Sequence, residues 1–159
     1  MKRTILLALA IAPLAATSAL AAPAHVFLKK AAEGDQSEVT LGNFAAQRAA
    51  SSGVRDYGRR LASDHGSHLT EVQGLAGRLH IRLPGGMTPD ARAAYRHLQS
   101  LHGHAFDRAF TRHMIMDHKK DIAAYEAQVH SGDRDTADLA RATLPTLREH
   151  LRIAQSLNR

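Results

Sequence analysis

The sequence predicts an all-α fold, a four-helix bundle with a short crossover helix, on three observations. Alanine, leucine, arginine and glutamine are abundant, and no run of β-branched residues occurs. Apolar residues recur at three- and four-residue spacing over long segments. The strongest Gly and Pro breakers fall between those segments.

Taken in order, the chain of 159 residues opens with "MKRTILLALAIAPLAATSALAAPAH". Two basic residues, Lys2 and Arg3, precede an apolar stretch that ends in Ala19-Leu20-Ala21. This pattern predicts a secretory signal peptide over 1–21 with cleavage after Ala21. Pro13 interrupts the run, which is too short for a retained transmembrane span. The rest, 22–159, is the size of one ordinary domain, expected in the periplasm or secreted with no membrane span.

The first helix is predicted over 35–51, with Asp35 or Ser37 as N-cap. "SSG" ends it, and a second helix follows over 54–80. "RLPGGMTPD" is the strongest breaker, after which Thr88-Pro89 starts a short helix to 101. "HGH" around Gly103 leads into a long helix over 105–130, and "SGDRD" turns the chain into a last helix over 136–157. Pro145 lies inside that helix and is expected to kink it near Arg141. Four long helices with one short crossing segment imply the ferritin-like connectivity, with a simple up-down bundle as the alternative.

Composition narrows the function. There are 21 Lys and Arg, 15 Asp and Glu, and 11 His, for a formal charge of +6, which cleavage of the signal peptide lowers by two. No basic tract with interleaved aromatics occurs, so nucleic acid is not an expected partner. Cysteine is absent. Disulfides, thiolate metal sites and a lipid-anchored form are therefore excluded, and packing alone must hold the fold.

An acid directly precedes a histidine on three segments: Asp64-His65, Asp117-His118 and Glu149-His150. Helix neighbours diverge by about 100°, so the acid cannot orient its own histidine. His65 lies near the centre of the stripe formed by Leu61, His68, Val72, Leu75 and Leu79, with Asp64 to one side. In the third long helix Asp107, His118 and Asp121 share the face of Phe110, Met114, Ile122, Tyr125 and Val129. His150 borders the stripe of Leu147, Leu151 and Ala154, whereas Glu149 points away. Glu38 shares the small-residue face of Leu41, Ala45 and Ala49. Aligning the two Asp-His pairs also sets Tyr57 against Phe110 and Leu61 against Met114, a weak hint of duplication.

The stretches "SEVTLGNFAAQRAASSGVRDYGRRLASDH", "LHGHAFDRAFTRHMIMDH" and "ARATLPTLREHLRIAQSL" resemble the exported bacterial family catalogued as domain of unknown function 4142, a ferritin-like group. The resemblance extends over about 27–157. It rests on Glu38 with Leu41-Gly42, Asp64-His65, Gly103 with Phe106-Asp107, His118, Leu144-Pro145 and His150. It implies a ferritin-like bundle and says little about activity. The histidines of "HGH" depart from the small residues expected there.

Glu38, His65, Asp107, His118 and His150 form the predicted site. Three imidazoles and one or two carboxylates facing one core suit a divalent transition metal, whether zinc, copper, manganese or iron. The same residues suit a buried hydrogen-bond network, which is the leading expectation, with the metal site as the alternative. The chain contains no Glu-x-x-His, which disfavours a di-iron oxidase. No nucleophile, base and orienter stand together, so an enzyme is not the expected reading. His97, His102, His104 and His113 could form a second, exposed metal site, and "HMIM" carries a soft thioether. Two classes of function remain. One is a non-enzymatic exported module that acts structurally or by protein contact. The other is a metal-binding ferritin-like protein, either one that sequesters metal or an enzyme of unknown reaction.

Overall fold

The computed structural model describes residues 20–158, so most of the predicted signal peptide lies outside the described residues. These residues form five helices and no strand: α1 Ala24–Arg48, α2 Ser52–Arg78, α3 Pro89–Gln99, α4 Gly103–Val129 and α5 Arg134–Leu157. None of these helices is long and apolar enough to cross a membrane.

Local chemistry sets the boundaries. The Ser51 hydroxyl accepts from Val54 N at 3.2 Å to cap α2. Thr88 caps α3 by accepting from Ala91 N at 3.1 Å, with Pro89 in the first turn. Asp133 caps α5 through Thr136 N at 2.9 Å. Gly103 has φ 57°, a conformation that lets the chain turn from α3 into α4 without a Cβ clash. α5 continues through Pro145.

One boundary differs from expectation. α1 begins at Ala24, about three turns before Asp35. Phe27, Leu28, Ala31 and Ala32 extend the buried stripe backward. Phe27 meets Tyr125 edge-on at 4.9 Å. That packing carries the helix through Gly34, so Asp35 is buried within α1 instead of capping it.

The short turns at 49–51 and 130–133 make antiparallel hairpins of α1 with α2 and α4 with α5. Between them the chain crosses the length of the bundle. Asp107, near the start of α4, accepts from Ala50 N and Ser51 N at the start of α2, both at 2.9 Å. At the other end Ala22 N donates to Gln128 at 3.1 Å. Hence α4 runs parallel to α2 and antiparallel to α1. The crossover is fastened to α1, where Gln36 donates to Pro84 O at 3.3 Å and Ser37 Oγ accepts from Thr88 N at 3.0 Å.

α1 and α2 come closest at Gly42 and Gly58, where a Cβ on either would stand 2.6 Å from the other's carbonyl oxygen. The apolar core is in two parts. One gathers Leu41, Leu61, Leu98, Phe106, Phe110 and Met114. The other gathers Leu28, Val72, Leu75, Tyr125, Leu144 and Leu147. Each long helix has buried polar residues that fall between these parts, namely Asp35 and Glu38, His65 and His68, His118, and His150, while others such as Asp107 and Gln128 lie nearer the ends. The bundle therefore carries a polar layer at mid-height.

Candidate metal centre

Each helix brings one or two side chains to this layer. His65 is on α2, His118 on α4 and His150 on α5; the last two are fully buried. Their ring centroids are 5.7 Å apart for His65 and His118, and 5.3 Å apart for the other two pairs. One ring nitrogen of each lies within 4.8 Å of the others.

The remaining nitrogens are held by acceptors. His118 Nδ1 donates to Met114 O at 3.0 Å, one turn back on its own helix. His150 Nε2 donates to Asp64 at 2.9 Å. His65 Nδ1 donates to Asp35 at 2.9 Å, and His68 Nδ1 donates to the same carboxylate at 2.8 Å. These acceptors set the tautomers. His118 Nε2 and His150 Nδ1 are left with lone pairs that face each other across 3.2 Å. His65 Nε2 has no partner.

The electrostatics agree. Burial, then the neighbouring His65 and His150, push the His118 imidazole down to about 3. Burial also lowers His150, against the pull of Asp64. His118 is therefore neutral near pH 7, as a metal ligand must be. Glu38 is fully buried with neither oxygen bonded. Burial, then Asp117 and Asp121, raise its carboxyl well above the usual range. Burial and Asp117 carry Asp121 up to about 8.

Of the five residues singled out from sequence, the structure brings together His65, His118 and His150; Glu38 is buried on α1 but is not part of that group. The layer does not include Asp107, whose carboxylate accepts from Ala50 N and Ser51 N in the turn that precedes α2. A shared helix face with His118 did not mean a shared height, because about three turns separate them. Glu149 lies on the surface in a two-pronged pair with Arg152 at 2.7 Å.

Two functional residues escaped the sequence reasoning. Asp35 reads as a helix cap, although its spacing from Glu38 places both on one face of a continuous helix. Asp64 reads as a flanking acid, but it meets the histidine of a different pair, His150. The acid of one dipeptide thus serves the histidine of another.

A four-helix bundle with one long crossover and a buried tris-histidine layer is the class that this fold and site define. The chain belongs to the family described as Domain of unknown function (DUF4142), whose model matches residues 10–157. No curated protein matches it. Among solved structures, it is similar to a DUF305 fragment from Deinococcus radiodurans, with TM-score 0.76 and 19% identity over 88% of this chain and 98% of that one. It is also similar to CopM in the Cu(II)-bound form, with TM-score 0.74 and 14% identity over 87% of this chain and 97% of that one. At these identities the likeness is one of fold.

Proposed function

We propose that this is an exported, non-enzymatic metal-binding bundle protein that holds one transition-metal ion through His65 Nε2, His118 Nε2 and His150 Nδ1. The observation that carries the reading is the set of three ring nitrogens turned toward one another, each opposite nitrogen held by an acceptor. Metal-ligating histidines are held in this way by carboxylates and backbone carbonyls. Asp35, Asp64 and Met114 O would fill that supporting role.

A metal–nitrogen distance of about 2.0–2.1 Å sets ligand nitrogens roughly 3.4 Å apart in a tetrahedral site. His118 and His150 are already at 3.2 Å. From a separation of at most 4.8 Å, the His65 nitrogen would move inward by up to about 1.4 Å. Glu38 is one turn from Asp35, which bonds His65, and one turn from Gly42, which meets Leu61 and Ala62. It is therefore near the height of the cluster, but its carboxyl is not among the grouped donor atoms and has Asp117 as its neighbour. Imidazole donors suit zinc or copper, and the similar fold of Cu(II)-bound CopM adds weight to copper.

The other sequence reading makes the layer a purely structural network. It would leave His65 Nε2 buried and unsatisfied, at a penalty of about 1–3 kcal/mol. The test is elemental analysis of untagged protein, followed by titration with Zn(II) and Cu(II). One ion per chain is expected, with binding lost in His65→Ala/His118→Ala. Stoichiometric metal that persists in the double variant would place it elsewhere.

A further inference from the structure

Away from the histidine layer, α3 and α4 enclose a groove of about 390 Å³. That volume is within the roughly 300–1,000 Å³ typical of small-molecule clefts. Its floor is apolar, built on Leu98 and Leu101 with alanines from both helices. Its remaining lining is basic: His97 from α3, and Arg108, Arg112 and His113 from α4. No acidic side chain lines it.

Arg108 and Arg112 are one helical turn apart, a spacing at which like charges repel. Neither is in any ion pair among the described residues. Of the nearby acids, Asp90 stands 3.7 Å from Lys120 and Asp107 accepts from Ala50 N and Ser51 N, while Asp117 lies close to His113 on the same helix. His113 Nε2 is buried without a partner. Met116 borders the groove and is 60% exposed, which is unusual for a large apolar side chain in this molecule.

An unpaired guanidinium pair fits a carboxylate in fork geometry. A flexible thioether over an alanine and leucine floor fits an aliphatic chain. We propose that the α3–α4 groove binds a small amphipathic carboxylate, with its head between Arg108 and Arg112 and its aliphatic chain along Leu98 toward Met116. This site is independent of the metal reading, since none of its lining residues belongs to the histidine layer.

Decanoate, kept below its micellar concentration, is the probe, and the methyl NMR signals of Leu98 and Met116 in the full chain are the readout. Saturable shifts of both are expected. Decanol, which has the chain without the charge, and acetate, which has the charge without the chain, should each bind about tenfold more weakly or worse. Arg108→Gln/Arg112→Gln should weaken decanoate by a similar factor. Both positions are exposed, so the urea midpoint of that variant is expected to be unchanged. The proposal is overturned if Leu98 and Met116 do not respond, if acetate binds as well as decanoate, or if the double variant binds normally. Sedimentation with phosphatidylglycerol vesicles without decanoate binding would also overturn it, and would identify a lipid-surface contact instead.

Discussion

Each imidazole of the layer is held by one ring nitrogen and offers the other to its neighbours, so the supporting acceptors are as testable as the ligands. Asp64→Asn leaves the His150 ring in place but weakens the acceptor at Nε2. It is expected to lower metal affinity by about 10–100-fold, read by competition with a chromogenic chelator. Glu149→Gln, in the same kind of dipeptide, should leave that affinity unchanged because its carboxylate faces Arg152 on the surface. A pH test follows from His118. Its folded-state value, about 3, lies below the ordinary 6.5, so the unfolded chain takes up its proton first. This contribution to stability is therefore present above pH 6.5 and is lost as pH falls toward 3. In metal-free protein, the advantage of wild type over His118→Gln should shrink on acidification by at most about 1.4 kcal/mol per pH unit. Paired urea titrations at pH 7 and pH 5 measure it. The inward direction of His65 and His118 was legible in the helical phase of the sequence. The partnership of Asp64 with His150 was not, because phase says which way a side chain leaves its own helix and not which neighbour reaches toward it.

At the scale of elements, the α1–α2 hairpin depends on two glycines whose missing Cβ atoms let the backbones meet. Gly42→Ala or Gly58→Ala forces the helices apart, and each is expected to lower stability by about 1–3 kcal/mol in urea unfolding. Gly34→Ala is the contrast. Its Cβ would meet nothing within 4 Å in the same helix, and it should stabilise by about 0.5–1 kcal/mol. Gly34 beside Asp35 is also why the start of α1 was misplaced from sequence. The pair reads as a break and a cap, whereas the burial of Leu28 and Ala32 keeps the helix intact. Asp107 ties α4 to the start of α2, so Asp107→Ala should destabilise by about 1–2 kcal/mol while leaving metal affinity untouched. Equal loss of affinity would return Asp107 to the site. The apparent repeat that pairs Tyr57 with Phe110 has a spatial meaning. Those rings lie 6.1 Å apart, and His65 and His118 in the same register lie 5.7 Å apart. The alignment of the two segments is also the register of two parallel helices whose side chains meet across the bundle.

For the whole molecule, a polar layer between two apolar clusters is a weak point that a bound ion would strengthen. The helical class was legible because periodicity reports burial along a chain. The meeting of His65, His118 and His150 followed from helical phase, whereas the absence of Asp107 from their layer did not, because it depends on relative heights set by the crossover and by contacts such as Gln36 with Pro84. Metal that binds the folded chain alone must stabilise it by mass action, by about 2.7 kcal/mol at a hundredfold excess over Kd. Coordination is the most direct measurement of the central claim. X-ray absorption on the protein loaded with one equivalent of Zn(II) should show imidazole scattering from three nitrogen donors at about 2.0–2.1 Å. In His118→Ala the imidazole count should fall and the ion should be held far more weakly. A shell dominated by oxygen, or a spectrum that His118→Ala leaves unchanged, would contradict a metal centre in the histidine layer.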